Sequence, residues 1–203
     1  MIEPLLLLAF VPASLALNLT PGADMMFCLG QGLRHGPRAA VAASAGISMG
    51  GLAHGLVAGL GLGALVAGLP WLFDVIRWVG VGYLLWLAVQ ALRSGPVRDV
   101  PGGSHHAFRE AFVVNLTNPK IVLFMLAFVP QFVDPSRAVL PQFLIFAGVL
   151  SVGGFFVNGA VGVFAGGIGR TVARSERFSR TLGWVSAGVF AALALRLAVM
   201  EKA

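Results

Sequence analysis

The sequence predicts an all-α integral membrane protein of six hydrophobic segments, arranged as two inverted three-helix repeats with broken helices in segments one and four. Three observations predict it. First, 58% of the 203 residues are hydrophobic and 11% are Asp, Glu, Lys or Arg, where an ordinary soluble domain carries about 25% charged residues. The mean hydropathy is +0.88, more apolar surface than a soluble fold of this length can hide. Second, the apolar runs have the length of a bilayer crossing, about 20 residues. Third, one polar, proline-containing pattern occurs twice. A soluble enzyme, a nucleic-acid-binding domain and a disordered chain are excluded on composition. A β-barrel would alternate over about ten-residue strands, and no such alternation is visible.

The six segments are Pro4–Gln31, Ala39–Ala67, Trp71–Arg93, Ala111–Phe132, Val139–Gly167 and Thr181–Met200. Each is read as helix because a lipid-exposed segment must satisfy its own backbone hydrogen bonds. The start resembles a signal peptide, with small residues near Ala16. The first basic residue is Arg34, however, and Glu3 stands in the n-region, so the segment is read as a retained first span. Segment two is crowded with glycine, including Gly46, Gly50, Gly51, Gly55 and Gly59. Small residues four apart let helices approach closely. The run Gly59–Gly63 lacks the strand and acidic residue of a dinucleotide loop. In segment three, Asp74 and Arg77 form a surface pair at a helix start, Trp71 and Trp78 belong to an interfacial belt, and Tyr83, Trp86 and Gln90 share one face. Arg196 in segment six snorkels.

The loops carry the charge. Loops one, three and five hold Arg34, Arg38, Arg93, Arg98, Arg109, Arg170, Arg174, Arg177 and Arg180; loops two and four hold Arg77 and Arg137. Basic residues collect in cytoplasmic loops, so the odd loops are placed in the cytoplasm of a multi-pass protein of the cytoplasmic membrane, with the C-terminus outside. Six full crossings put the N-terminus outside as well; a re-entrant first segment would put it inside. Repeat one covers about 1–93, the cytoplasmic loop 94–110 and repeat two about 111–203. Cys28 is the one cysteine, so neither an intrachain disulfide nor a Cys/His zinc site can form.

The repeat rests on two echoes. Asn18-Leu19-Thr20-Pro21-Gly22 matches Asn115-Leu116-Thr117-Asn118-Pro119, and Ser48-Met49-Gly50-Gly51 matches Ser151-Val152-Gly153-Gly154. Three spans separate the copies, so the halves are inverted. Proline removes an amide donor and interrupts the preceding turn. Asn18 and Thr20, or Asn115 and Thr117, are expected to cap the helix that restarts. A restarted helix presents free N–H groups and a positive dipole end, the arrangement that binds anionic groups near the midplane of secondary transporters.

These residues resemble the LysE/RhtB amino-acid exporters. The resemblance is carried by Thr20-Pro21-Gly22-Ala23-Asp24, the Gly46-x3-Gly50-x3-His54 spacing, Gly82-Tyr83-Leu84, and Asn118-Pro119-Lys120 with Pro130-Gln131-Phe132. Size, hydropathy and six-segment layout match as well. The resemblance implies export of amino acids from the cytoplasm, driven by the proton gradient or by exchange. The family usually has Pro where this chain has Ala23, which implies a softer first break.

The expected substrate-binding set is Asn18, Thr20, Pro21, Gly22, Asp24, His54, Asn115, Thr117, Asn118, Pro119, Lys120 and Asn158, with Asp24 and His54 also coupling protons. Asp24 lies in an uncharged stretch, where an ionisable group is costly unless paired or hydrated. It can hold a substrate ammonium, carry a proton, or serve as a structural helix-start carboxylate. Lys120 can meet a substrate carboxylate, pair with Asp24 or snorkel. His54 and Asn158 can relay protons or bond across helices. No cofactor or metal is called for, and no enzyme: the spans lack the Ser/His or paired-Asp set of an intramembrane protease. A helper subunit or membrane-embedded enzyme is the alternative reading. Protons or an exchanged solute are the expected partners beside the amino acid and the bilayer, and a homodimer stays open.

Overall fold

The structure, a computed structural model, describes residues 3–68, 70–93, 106–166 and 175–199. Helix α1 (Pro4–Leu19) stops where Pro21 withholds an N–H, and α2 (Ala23–His35) restarts at 55° to it. Gly36 turns the chain at φ +82°, a conformation that favours glycine, and α3 (Pro37–Gly68) opens on a proline, which suits the first helical position. Helix α4 (Pro70–Arg93) follows. The second break separates α5 (Ala107–Leu116) from α6 (Pro119–Leu123). Helix α6 continues as a π turn over Phe124–Phe128 and a 3-10 turn over Val129–Phe132, and the pair is bent by 50°. Pro130 has no N–H for the Leu126 carbonyl, and the helix first widens and then tightens around that defect. Helices α7 (Val139–Val163) and α8 (Glu176–Val199) complete the fold.

Among the described residues, Pro37–Gly61 and Val139–Val163 are each long and apolar enough to cross a membrane. The bent pairs α1–α2 and α5–α6 qualify as pairs, and Trp78–Arg93 and Gly183–Leu195 are shorter apolar stretches. The described residues are therefore all helical apart from turns, with two to four candidate crossings among these helices, as a membrane protein requires. Loop three ends earlier than the sequence suggests. Arg109 and Glu110 belong to α5, whose first turn gains a carboxylate that complements the helix dipole. Arg98, Asp99, His105, Arg170, Arg174 and the expected segment ends at Gly167 and Met200 lie outside the described residues, as do the side chains of Trp71, Asp74, Arg77 and Arg196.

Helix α3 packs most extensively on α7 and next on α5, while α4 packs on α8. Small residues permit this. A Cβ on Gly32 would land on the Gly162 carbonyl, so α2 and α7 cross backbone to backbone. Hydroxyls of α3 bridge to α7: Ser44 Oγ donates to the Phe155 carbonyl (2.6 Å) and Ser48 Oγ to the Ser151 carbonyl (2.9 Å). Toward the start of α1, Phe10 is enclosed by Phe124, Phe128, Phe132 and Phe146, with ring centroids 4.9 to 6.2 Å away. Such pairs add about 0.5–1.5 kcal/mol each beyond area burial. Beside this cluster, Asp134 accepts from the Ser136 hydroxyl (2.6 Å) and amide (2.9 Å) and pairs with Arg137 (3.0 Å). The Ser136 hydroxyl, above all, holds its carboxyl below the ordinary value.

Candidate functional site

Each proline strips one carbonyl of its i+4 donor: Pro21 strips Leu17, and Pro119 strips Asn115. Lys120 Nζ donates to the Leu17 and Thr20 carbonyls, both at 3.0 Å, at the C-terminal end of α1. His54 Nε2 lies 3.1 Å from the Asn115 carbonyl, which also accepts from the Asn118 amide at 3.0 Å. Cations and donors are favourable at such helix ends.

The expected caps are corrected. The position before α2 is held by Gly22, which supplies no side-chain cap. The position before α6 is held by Asn118, whose side chain accepts from the Lys120 amide (3.0 Å). A cap must stand immediately before the first helical residue, and Asn18, Thr20, Asn115 and Thr117 stand one to four residues too early. Thr20 Oγ1 instead turns back to the Ala16 carbonyl (2.7 Å), and Thr117 Oγ1 to that of Val113 (3.0 Å), the local bonding threonine favours in a helix.

The two asparagines reach across the molecule. Asn18 Nδ2 donates to the Leu150 carbonyl on α7 (3.1 Å), with Gly153 and Gly154 against its amide. Asn115 lies against Gly50 on α3, where a Cβ would sit 2.5 Å from its Oδ1. Its Nδ2 donates to Asp24 Oδ2 at 2.8 Å. Asp24 is 5% exposed and Asn115 2%. Asn18, Asp24, Ser48, Asn115 and Ser151 line a cavity of about 10 Å³ with Ile47, Gly51, Ile121, Leu150 and Gly154, room for about one water. Three atoms of its lining residues, Asp24 Oδ1, Asn115 Oδ1 and Ser151 Oγ, are buried without a hydrogen-bond partner. Two of them, the Asp24 and Asn115 oxygens, only accept, and the Ser151 hydroxyl can donate or accept. A wider cavity of about 510 Å³ lies between the end of α2 and the starts of α3 and α5, lined by His35, Arg38, His106 and Arg109 among smaller residues.

The profile of the LysE type translocator family matches residues 15–201. The chain belongs to this family. It is 35% identical over 142 residues to a homoserine/homoserine lactone efflux protein of Salmonella typhimurium, covering 68% of this chain and 69% of the relative. It is 30% identical over 200 residues to a leucine efflux protein of Enterobacter sp., covering 95% and 94%. An uncharacterized membrane protein of Vibrio cholerae is 36% identical over 143 residues, covering 68% and 70%. No solved structure matches.

Of the expected residues, the fold brings Asn18, Asp24 and Asn115 to one cavity. Thr20, Pro21, Gly22, Asn118, Pro119 and Lys120 stand at the adjoining breaks, and His54 rests on the second. Thr117 is exposed, and Asn158 is buried on α7 a turn beyond Gly154 without lining the cavity. Sequence reasoning did not place Ser48, Gly51 and Ser151 in the site. The signal was present, since both serines belong to the echo that marks the repeat.

Proposed function

We propose that the chain is a secondary exporter that moves a small amino acid or a derivative out of the cytoplasm by alternating access, driven by the proton gradient. One observation carries the reading: a buried, half-partnered carboxylate at a helix break in a chain of the LysE type translocator family. Asp24 takes the substrate ammonium or the coupled proton, with Asn115 orienting it and His54 behind Asn115. The Asn118 side chain already takes the Lys120 amide, so the uncapped amides opening α2 are the ones left for a carboxylate. A cavity of about 10 Å³ admits no amino acid, so this state is closed and transport requires the halves to part. Asn18 rests on Gly153 and Gly154, and Asn115 on Gly50. This exchange supports two inverted repeats, whose rocking gives two states of similar energy.

The relatives' names supply the first solutes to try. Purified protein in liposomes with an imposed pH gradient should move homoserine or leucine against its concentration gradient. Failure with all common amino acids, in a protein shown to be folded, would refute the exporter reading.

The orientation places the odd loops, and with them the cavity of His35, Arg38, His106 and Arg109, in the cytoplasm, where its basic lining gathers carboxylates. Single cysteines at Ser104, Ser136 and Ser175, each in a Cys28→Ser background, test it. An impermeant thiol reagent added to intact cells should label position 136 alone, and labelling at 104 or 175 would reverse the orientation.

A further inference from the structure

The two stripped carbonyls are met in a reciprocal way. Leu17 lies in the first half and accepts from Lys120 in the second; Asn115 lies in the second half and is met by His54 from the first. Each proline defect is thus closed by an ionisable side chain from the opposite half. When the prolines are aligned, the counterpart of Lys120 is Gly22. Lys120 lies against that glycine, since a Cβ there would come within 3.2 Å of Nζ. The ammonium therefore occupies a place that the repeat leaves open on one side and fills on the other.

Resting on the exporter reading, we propose that Lys120 is the coupling latch of the transporter: its ammonium pins the end of α1 to α6 in the closed state, and loss of its proton releases the first break. The step moves one proton. Lys120 and Asp24 form no direct ion pair, so the transfer runs through a water: an N–H bond of Lys120 breaks as that water takes the proton, one of the water's own O–H bonds breaks in turn, and an O–H bond forms on the Asp24 carboxylate, leaving an amine, a carboxylic acid and the water unchanged. Release weakens the hold on the Leu17 and Thr20 carbonyls, because the positive charge is what the negative helix end favours.

Few other ionisable groups face this point. On α2 the groups nearest the break are Asp24 and, one turn on, the buried Cys28, and on α3 the group is His54; α5 bears Arg109 and Glu110 in its first turns, and α4, which packs on the π turn, bears Tyr83. Helices α1 and α7 bear no ionisable side chain. A clamp with no other task needs only neutral donors, which an amide supplies without a charge inside a membrane. The charge, the neighbouring carboxylate and the glycine opposite together favour a group that exchanges its proton.

The test compares Lys120→Arg, which keeps a fixed charge, Lys120→Gln, which keeps donors without charge, and Gly22→Ala, which crowds the ammonium and leaves both ionisable groups. Each variant, in liposomes with labelled homoserine or leucine, is assayed for net flux under a pH gradient and for solute exchange at equal pH. Net flux should fall about 30-fold in both lysine variants and about 5-fold in Gly22→Ala, and in at least one of them net flux should fall more than exchange does. Wild-type net flux in either lysine variant would overturn the latch. So would an equal fall of both readouts in all three variants, which marks a structural clamp. Exchange by the wild type upholds the exporter reading whichever way the variants behave, so the two failures are distinguishable.

Discussion

Asp24→Asn should insert and fold like the wild type and lose gradient-driven export by about 100-fold, which is about 2.7 kcal/mol at 1.36 kcal/mol per tenfold. The substitution is nearly isosteric. The Asn115 amide keeps an oxygen to donate to, and Lys120 keeps the Leu17 and Thr20 carbonyls, so no buried cation is stranded. What disappears is the charge at a 5% exposed position whose second oxygen has no protein partner. A buried carboxylate in that condition is costly to keep, and its removal should leave thermal stability in detergent level or raised. The check is net flux of a labelled amino acid in liposomes, beside a melting curve. Near-wild-type flux would remove Asp24 from the mechanism. Rescue of the variant by Lys120→Ala would mark the two groups as a charge pair needed only for balance.

The breaks were legible because proline acts locally. Its missing N–H removes one helix bond, which α1 absorbs at Pro12, and Pro21 and Pro119, each beside an Asn-Leu-Thr run, announce both bends in the chain itself. The caps were misplaced because a side chain's partner is not local. Asn18 and Asn115 have the chemistry of caps, yet glycines at 153, 154 and 50 open space for them on other helices. The bond from Asn115 to Asp24 joins residues 91 apart, and that from Lys120 to Leu17 joins residues 103 apart. No periodicity encodes such pairs. The π turn at Phe124–Phe128 was equally hidden, since Pro130 predicts a defect but not which way the helix relieves it.

The helix bundle has two unlike ends. Around Phe10, rings from α1, the π turn and α7 pack against one another. At the other end, basic residues line an open cavity. Opening the aromatic end means separating Phe10 from Phe128 and Phe146, and the irregular winding around Phe128 gives that segment fewer regular backbone bonds to break. Opening the basic end means parting α2 from α5, joined by the Asp24–Asn115 bond. The two routes break different contacts, which the proposed alternating access requires.

A free amino acid should compete for export at least about 10-fold better than its methyl ester or amide. The argument is electrostatic. The amides opening α2 carry no side-chain cap, so a bound carboxylate would replace the water they otherwise need, at a helix end of positive dipole. An ester keeps the ammonium for Asp24 but loses the anionic group, and 10-fold corresponds to about 1.4 kcal/mol, within the worth of one charge-assisted bond. The relatives make the measurement discriminating. Leucine carries a carboxylate, whereas a homoserine lactone has closed its carboxyl into a ring and presents only an ammonium and a carbonyl. Competition in liposomes among leucine, its methyl ester, homoserine and homoserine lactone at equal concentrations therefore separates two designs. Strong inhibition by the free acids alone assigns the carboxylate to the start of α2. Equal inhibition by lactone and acid removes the carboxylate from recognition and leaves Asp24, with its ammonium partner, as the group that selects the substrate.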